Sequence, residues 1–340
     1  MKTKLHILFF LLISGKLFSQ DIHFSQFHQM PALRNPALAG IFKGDVRATG
    51  IFRSQWQPAF GQFQTTGLGI ETKSAVNEFS EDFYSLGLVV TNDVAGDARL
   101  GKTQILPSFT FHKLLNPEKN LYLSAGFMGG VVQQRFDPSK LRLGDQFVNG
   151  SYSQLNPTRQ TFNNTNLIYL DALAGLVIGG EVAQKYNYYF GVSYAHFNRP
   201  KVAFTPTNDV RLNSRVGINA GFSASASDFD YFFFYADYFM MGGARLAQGG
   251  VLYTRHLLEE VEDPTYAISF GLFHRLNDAV MPMVRLDYAK LSFGFTYDVN
   301  VSKLSAASKL QGGAEATISY KTFLLNSRKS SASKVRCPRL

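Results

Sequence analysis

Cysteine is nearly absent from this chain. Cys337 is the only one among 340 residues, which excludes an intrachain disulfide, so the fold must hold without that staple. Past residue 20 there is no run of 18 apolar residues, which excludes a helical membrane span. Charge is sparse, at 17% of residues, and tryptophan occurs once. Motifs that carry chemistry are missing as well. No HExxH or Cys/His cluster is present to hold zinc. No GxSxG, P-loop or dinucleotide fingerprint is present either. Nothing marks an activated nucleophile. The reading is therefore a protein that is not an enzyme, with no cofactor, no metal and no catalytic residue.

What is present begins with an export signal. Lys2 and Lys4 precede an apolar core from Leu5 to Ile13, followed by the small residues Ser14, Gly15 and Ser19. Cleavage after Ser19 is expected, which makes 1–19 a signal peptide and Gln20 the mature N-terminus. The net charge is +9. A basic excess can indicate nucleic acid, but export argues against that partner. The basic residues are dispersed until residues 324–340, which carry Arg328, Lys329, Lys334, Arg336 and Arg339 and no acid. That tail reads as a solvated strip or a docking tail.

Aromatic and small residues are plentiful: 31 Phe, 16 Tyr and 29 Gly. They alternate with period two. In "LSFGFTYDV", Leu291, Phe293, Phe295, Tyr297 and Val299 face one way, and Ser292, Gly294, Thr296 and Asp298 the other. "RVGINAGFSAS", "LYLSAGF", "FGVSYA" and "MVRLDY" repeat the pattern. Successive strand side chains point to opposite faces. A soluble sandwich alternates too, but its outer polar face usually carries Lys, Glu and Thr, whereas here it is often Gly, Ser, Asn or Tyr. This pattern predicts an all-β transmembrane outer-membrane antiparallel barrel of about 14 strands, facing membrane lipid, over residues 43–323. The strands are expected to begin near residues 44, 62, 83, 103, 119, 168, 187, 212, 229, 245, 265, 280, 290 and 314. With a periplasmic N-terminus, most long connections, above all 135–167, fall on the outer side, as short periplasmic turns require.

Three smaller features read as structural. "NDVAGD" (92–97) hints at calcium but suits a turn better. "GGARLAQGG" (242–250) reads as a tight hairpin. His196, His256 and His274, near strand ends, read as interfacial polar groups.

Between the signal and the first strand lies "HFSQFHQMPALRNPALAG" (23–40), too polar to span a membrane and broken by Pro31 and Pro36. With "FRSQW" (52–56) and the Asn92, Asp93, Gly96 set, it resembles the PorP/SprF family of Bacteroidota. Asp21, Phe24, Ser25, Gln26, Asn35, Pro36, Ala37, Ala39 and Gly40 match the family's opening phrases, as do Arg53, Ser54, Gln55 and Trp56. Ile22 and Phe27 depart from it, and Gly312, Gly313, Ala314 and Glu315 stand where the family typically has Gly-Ser-His-Glu. The resemblance implies an outer-membrane component of type IX secretion and, in gliding species, of motility. It implies export or surface attachment of cargo such as large adhesins, working with periplasmic lipoproteins and the trans-envelope motor complex. It brings no catalytic residue. The alternative is a porin or fatty-acid-type channel for small or hydrophobic solutes. Residues 20–42 are expected to be an irregular periplasmic or plug-like segment. Within it 24–40 either plugs the barrel, docks a periplasmic partner, or packs as a lead-in on the wall. Phe24, Ser25, Gln26, Asn35, Pro36, Gly40, Arg53, Gln55 and Trp56 are the candidate plug or partner contacts.

Overall fold

The computed structural model describes residues 21–55, 63–77, 80–96, 98–148, 150–153, 155–205, 208–257, 265–303, 305 and 311–323. The signal peptide, Trp56 and the basic tail with Cys337 lie outside them.

The barrel strands are β1 (Val46–Gln55), β2 (Phe63–Ala75), β3 (Phe83–Ala95), β4 (Leu100–Asn116) and β5 (Leu121–Arg135). After the two-residue strands β6 (Phe147–Val148) and β7 (Ser151–Tyr152) come β8 (Asn166–Val182), β9 (Tyr186–Ala195), β10 (Arg215–Ser225) and β11 (Asp230–Met241). The wall finishes with β12 (Ala244–His256), β13 (Thr265–Arg275), β14 (Ala279–Ala289), β15 (Leu291–Asn300) and β16 (Gln311–Thr322). Fourteen of these form one closed antiparallel sheet, and β6 and β7 make a separate hairpin inside the longest connection. Closure comes from β1 against β16, from Val46 opposite Thr322 to Gln55 opposite Gly313. The closed sheet itself leaves no edge strand to template aggregation.

Alternation places the side chains. Phe293, Phe295 and Tyr297 are exposed outward while Gly294, Thr296 and Asp298 are buried inward. Leu68, Ile70, Leu86, Leu88, Phe109, Phe127 and Leu176 extend the outer apolar surface, where lipid tails replace water as the solvent.

Every barrel strand starts within about three residues of its expected position. Lengths differ more: β4 and β8 run 17 residues, beyond the roughly 9–11 that cross a bilayer. The 92–97 turn is shorter than expected. Asn92 and Asp93 stay in β3, and Gly96, at φ 66°, makes the turn. The hairpin at 242–250 narrows to Gly242 and Gly243, both at positive φ, with the rest in β12.

The two mouths differ. One carries the short connections 117–120, 183–185 and residue 290 (the turn end). The other carries 136–165 and 196–214 (the loop end).

Candidate functional site

Residues 21–45 contain little regular structure. They hold a 3-10 turn (Phe27–Gln29), one helical turn (Pro31–Arg34) and a second 3-10 turn (Pro36–Leu38). Pro31 and Pro36 open their turns, where a missing N–H costs nothing. The Asn35 side chain caps the last turn by accepting from Ala37 N at 3.0 Å.

This segment runs inside the barrel. Its contacts go to strands around the whole circumference: β15 and β16 through Ser25 and Gln26, β11 through Arg34, β8 and β9 through Asn35, and β2 through Gly40. Asp21 meets Lys102 and Arg215, at the loop-end starts of β4 and β10, and Asp45 bonds Thr322 at the turn end. The chain therefore traverses the lumen from one mouth to the other. It does not lie across a single mouth.

Apolar side chains fill the space around it. Phe24 and Met30 pack with Ile51, Val89, Leu106, Met128 and Leu173. Phe27 packs with Leu252, Phe273 and Met281, edge-to-face on Phe273 at 5.6 Å. Burying each such side chain is worth about 1.5–3 kcal/mol. Glycines of the wall admit the segment's backbone. A Cβ on Gly126 would collide with the backbone of Pro36 and Ala37, and one on Gly175 with the Asn35 amide. Gly40 has φ +82° and its Cβ would stand 2.6 Å from that of Ser85.

Charges lock the segment in register. Glu315, fully buried, accepts Ser25 N at 2.7 Å and Gln26 N at 2.6 Å. Arg53 donates to Glu315 at 3.2 Å, to Asp298 at 2.7 Å and to Ser25 Oγ. Ser25 Oγ donates to Asp298 at 2.6 Å, and Arg275 donates to the same carboxylate at 2.8 Å. Arg53 and Arg275 thus meet the buried Asp298 and Glu315, with Arg275 also on the more exposed Asp278, so every buried ion is paired, the condition under which buried ions are tolerated. Gln26 accepts from Thr317 Oγ1 at 2.8 Å. Lower down, Arg34 forks onto Asp237 at 2.6 and 2.8 Å. Asn35 Nδ2 donates to the carbonyls of Leu176 and Val192, and the carbonyl of Pro36 accepts from Thr110. Gly40 N donates to Glu71 at 3.0 Å, and Glu71 also pairs with Arg47. His112 bonds the Ala39 carbonyl at 2.9 Å.

Seven of the nine candidate residues meet in this contact: Phe24, Ser25, Gln26, Asn35, Pro36, Gly40 and Arg53. Gln55 ends β1 opposite Gly313 and Phe63. Trp56 lies outside the described residues. Sequence reasoning missed the wall's share: Glu315, Asp298, Asp237, Glu71, Thr110 and His112. Asp298 stood on the polar face of a quoted strand, and a charge there was the available signal. Asp237 had none, because aromatics occupy both faces of β11.

His196 corrects the interfacial reading. It is buried beyond the end of β9, 2.8 Å from Asp171 and 3.3 Å from Asp21. Burial opposes its charged form, but hydrogen bonds to Asp171 and Asp21 outweigh that and hold the imidazole above its ordinary range.

A closed fourteen-strand barrel with an apolar outer band and a polar interior defines an outer-membrane β-barrel protein. Residues 16–320 match the family described as "Type IX secretion system membrane protein PorP/SprF". The chain belongs to that family. No protein of curated function matches it in sequence. Solved structures similar to it include the translocator domain of autotransporter NalP from Neisseria meningitidis, 10% identical, covering 86% of this chain and 95% of that one, TM-score 0.42. A FadL homologue of Pseudomonas aeruginosa is 12% identical, covering 90% and 95%, TM-score 0.43. The toluene transporter TodX of Pseudomonas putida is 8% identical, covering 85% and 92%, TM-score 0.46.

Proposed function

We propose that this protein is a non-enzymatic outer-membrane subunit of type IX secretion whose lumen is closed by its own residues 21–45, and that it supports export or surface attachment of specific cargo, such as large adhesins, by protein–protein contact. Membership in the family supports the secretion role. The observation that carries the non-channel reading is the segment's continuous run through the lumen, pinned by Glu315, Asp298, Asp237 and Glu71. A porin needs an open aqueous path there. Periplasmic lipoproteins and the motor complex are the partners this reading requires.

The test is quantitative proteomics of medium and cell surface with and without the gene, and with a form deleted for residues 21–40 that keeps the signal. Loss of one or a few large surface proteins, retained in the periplasm, supports the role and names the cargo. If the deleted form assembles and export is unchanged, the segment has no part in it.

A further inference from the structure

The luminal segment has a direction. Asp21 meets Lys102 and Arg215, at the loop-end starts of β4 and β10, at 2.9 and 2.8 Å, and His196, just past the loop end of β9, at 3.3 Å. Ser25 and Gln26 reach Glu315, near the loop-end start of β16. Asn35 reaches the Leu176 and Val192 carbonyls, between the ends of β8 and β9. Gly40 reaches Glu71, near the turn end of β2, and Asp45 bonds Thr322, where β16 stops. Exposure follows the same path. Asp21, Ile22 and His23 are half-buried, Phe24 to Phe27 are buried, and Lys43 is exposed at the other mouth. The segment is therefore pinned at both mouths, and its C-terminal end passes directly into β1 at the turn end. In outer-membrane barrels short turns face the periplasm and long loops face out. The turn end, where β1 starts and β16 stops, is on that rule periplasmic, and the mouth that holds Asp21 is the outer one.

We propose that the chain ahead of Asp21 leaves the lumen at the outer mouth, so that the protein displays its N-terminal end on the cell surface although its first strand starts in the periplasm. The ion pairs of Asp21 fix that exit, because a buried carboxylate drawn back down the lumen would lose Lys102 and Arg215 together. The upper part of the segment also straddles the seam that closes the barrel. Ser25 meets Arg53 on β1 and Glu315 on β16, so the first and last strands hold it jointly. A partner outside the cell can reach the free end of the segment, whereas a periplasmic one meets its other end, at Lys43. None of this depends on the secretion role.

The test uses the full-length protein in intact cells. A short epitope is inserted between Gln20 and Asp21, behind the signal. The same epitope is placed after Gly150, in the long connection, and between Glu118 and Lys119, in a short turn. Folding of each form is checked by heat-shifted gel mobility. Antibody is expected to stain the first two forms on intact cells as strongly as after the outer membrane is opened, and the third only after opening. Staining of the Gln20 form only after opening, with the Gly150 form stained from outside, overturns the path. Staining of the turn form from outside, with the Gly150 form silent, reverses the orientation and overturns it as well. If the Gln20 insertion blocks folding, Ile22→Cys in a Cys337→Ser background replaces it. A membrane-impermeant maleimide should then label intact cells at a rate that opening the membrane does not change. Labelling that waits for opening overturns the proposal.

Discussion

Glu315 shows how one side chain can hold a segment 290 residues away in sequence. Its two oxygens satisfy two consecutive backbone N–H groups and share a guanidinium with Asp298. Removing it orphans both donors and leaves Arg53 with one carboxylate fewer. Glu315→Ala is expected to cost about 3–5 kcal/mol, measured as lower resistance of the folded band to heat and denaturant. A variant as resistant as wild type would show that the ion cluster contributes nothing. His196 makes a pH-dependent contribution of the opposite kind. Its raised folded pKa means that its stabilisation is complete below about 6.5, its unfolded value, and is lost as pH rises through the folded value. The anchor of Asp21 should loosen over that window, with Asp171, Lys102 and Arg215 as the other charged neighbours. Amide exchange of residues 22–26, corrected for intrinsic rate, should rise on the alkaline side. Flat protection from about pH 6 to 9 would rule this out.

At the scale of elements, the segment and the wall are fitted to each other through missing side chains. Gly126 on β5 and Gly175 on β8 leave room for the 3-10 turn that Asn35 caps. Gly126→Val leaves the strand's alternation intact but thrusts carbon into the Pro36 and Ala37 backbone. The barrel should still close, because the substituted position pairs normally with Thr110 and Gly175. The segment should be displaced, exposing residues 24–40 to added protease. Protection equal to wild type would mean that the turn shifts at no cost. Pro31 and Pro36 work in the same direction as the wall, reducing the entropy lost when an otherwise irregular chain is ordered.

For the whole molecule, the consequence is conductance. With the segment seated, the purified protein in planar bilayers is expected to be almost non-conducting. Deleting residues 21–40 should open stable ohmic steps, since fourteen strands enclose a lumen that the segment otherwise fills. Wild-type steps as large as those of the deleted form would favour the channel alternative. The fold was legible in the sequence almost in full. Strand starts near 83 and 265 coincide with the structure, and those near 103, 212 and 314 differ by about three residues. The site was legible by half: the phrases holding Ser25, Gln26 and Asn35 marked the segment, but their partners on the wall, Asp237 above all, were not.

The sequence by itself determined the strands, the side of each that meets lipid, and the stiffness of residues 23–40. All of these are local, because a period of two and the fixed φ of proline are set within a few residues. Only the tertiary structure decided where the segment goes and what holds it. Whether Ser25 meets Glu315, or Arg34 meets Asp237, depends on barrel closure and on the register of strands far apart in the chain. No periodicity encodes a contact across a lumen.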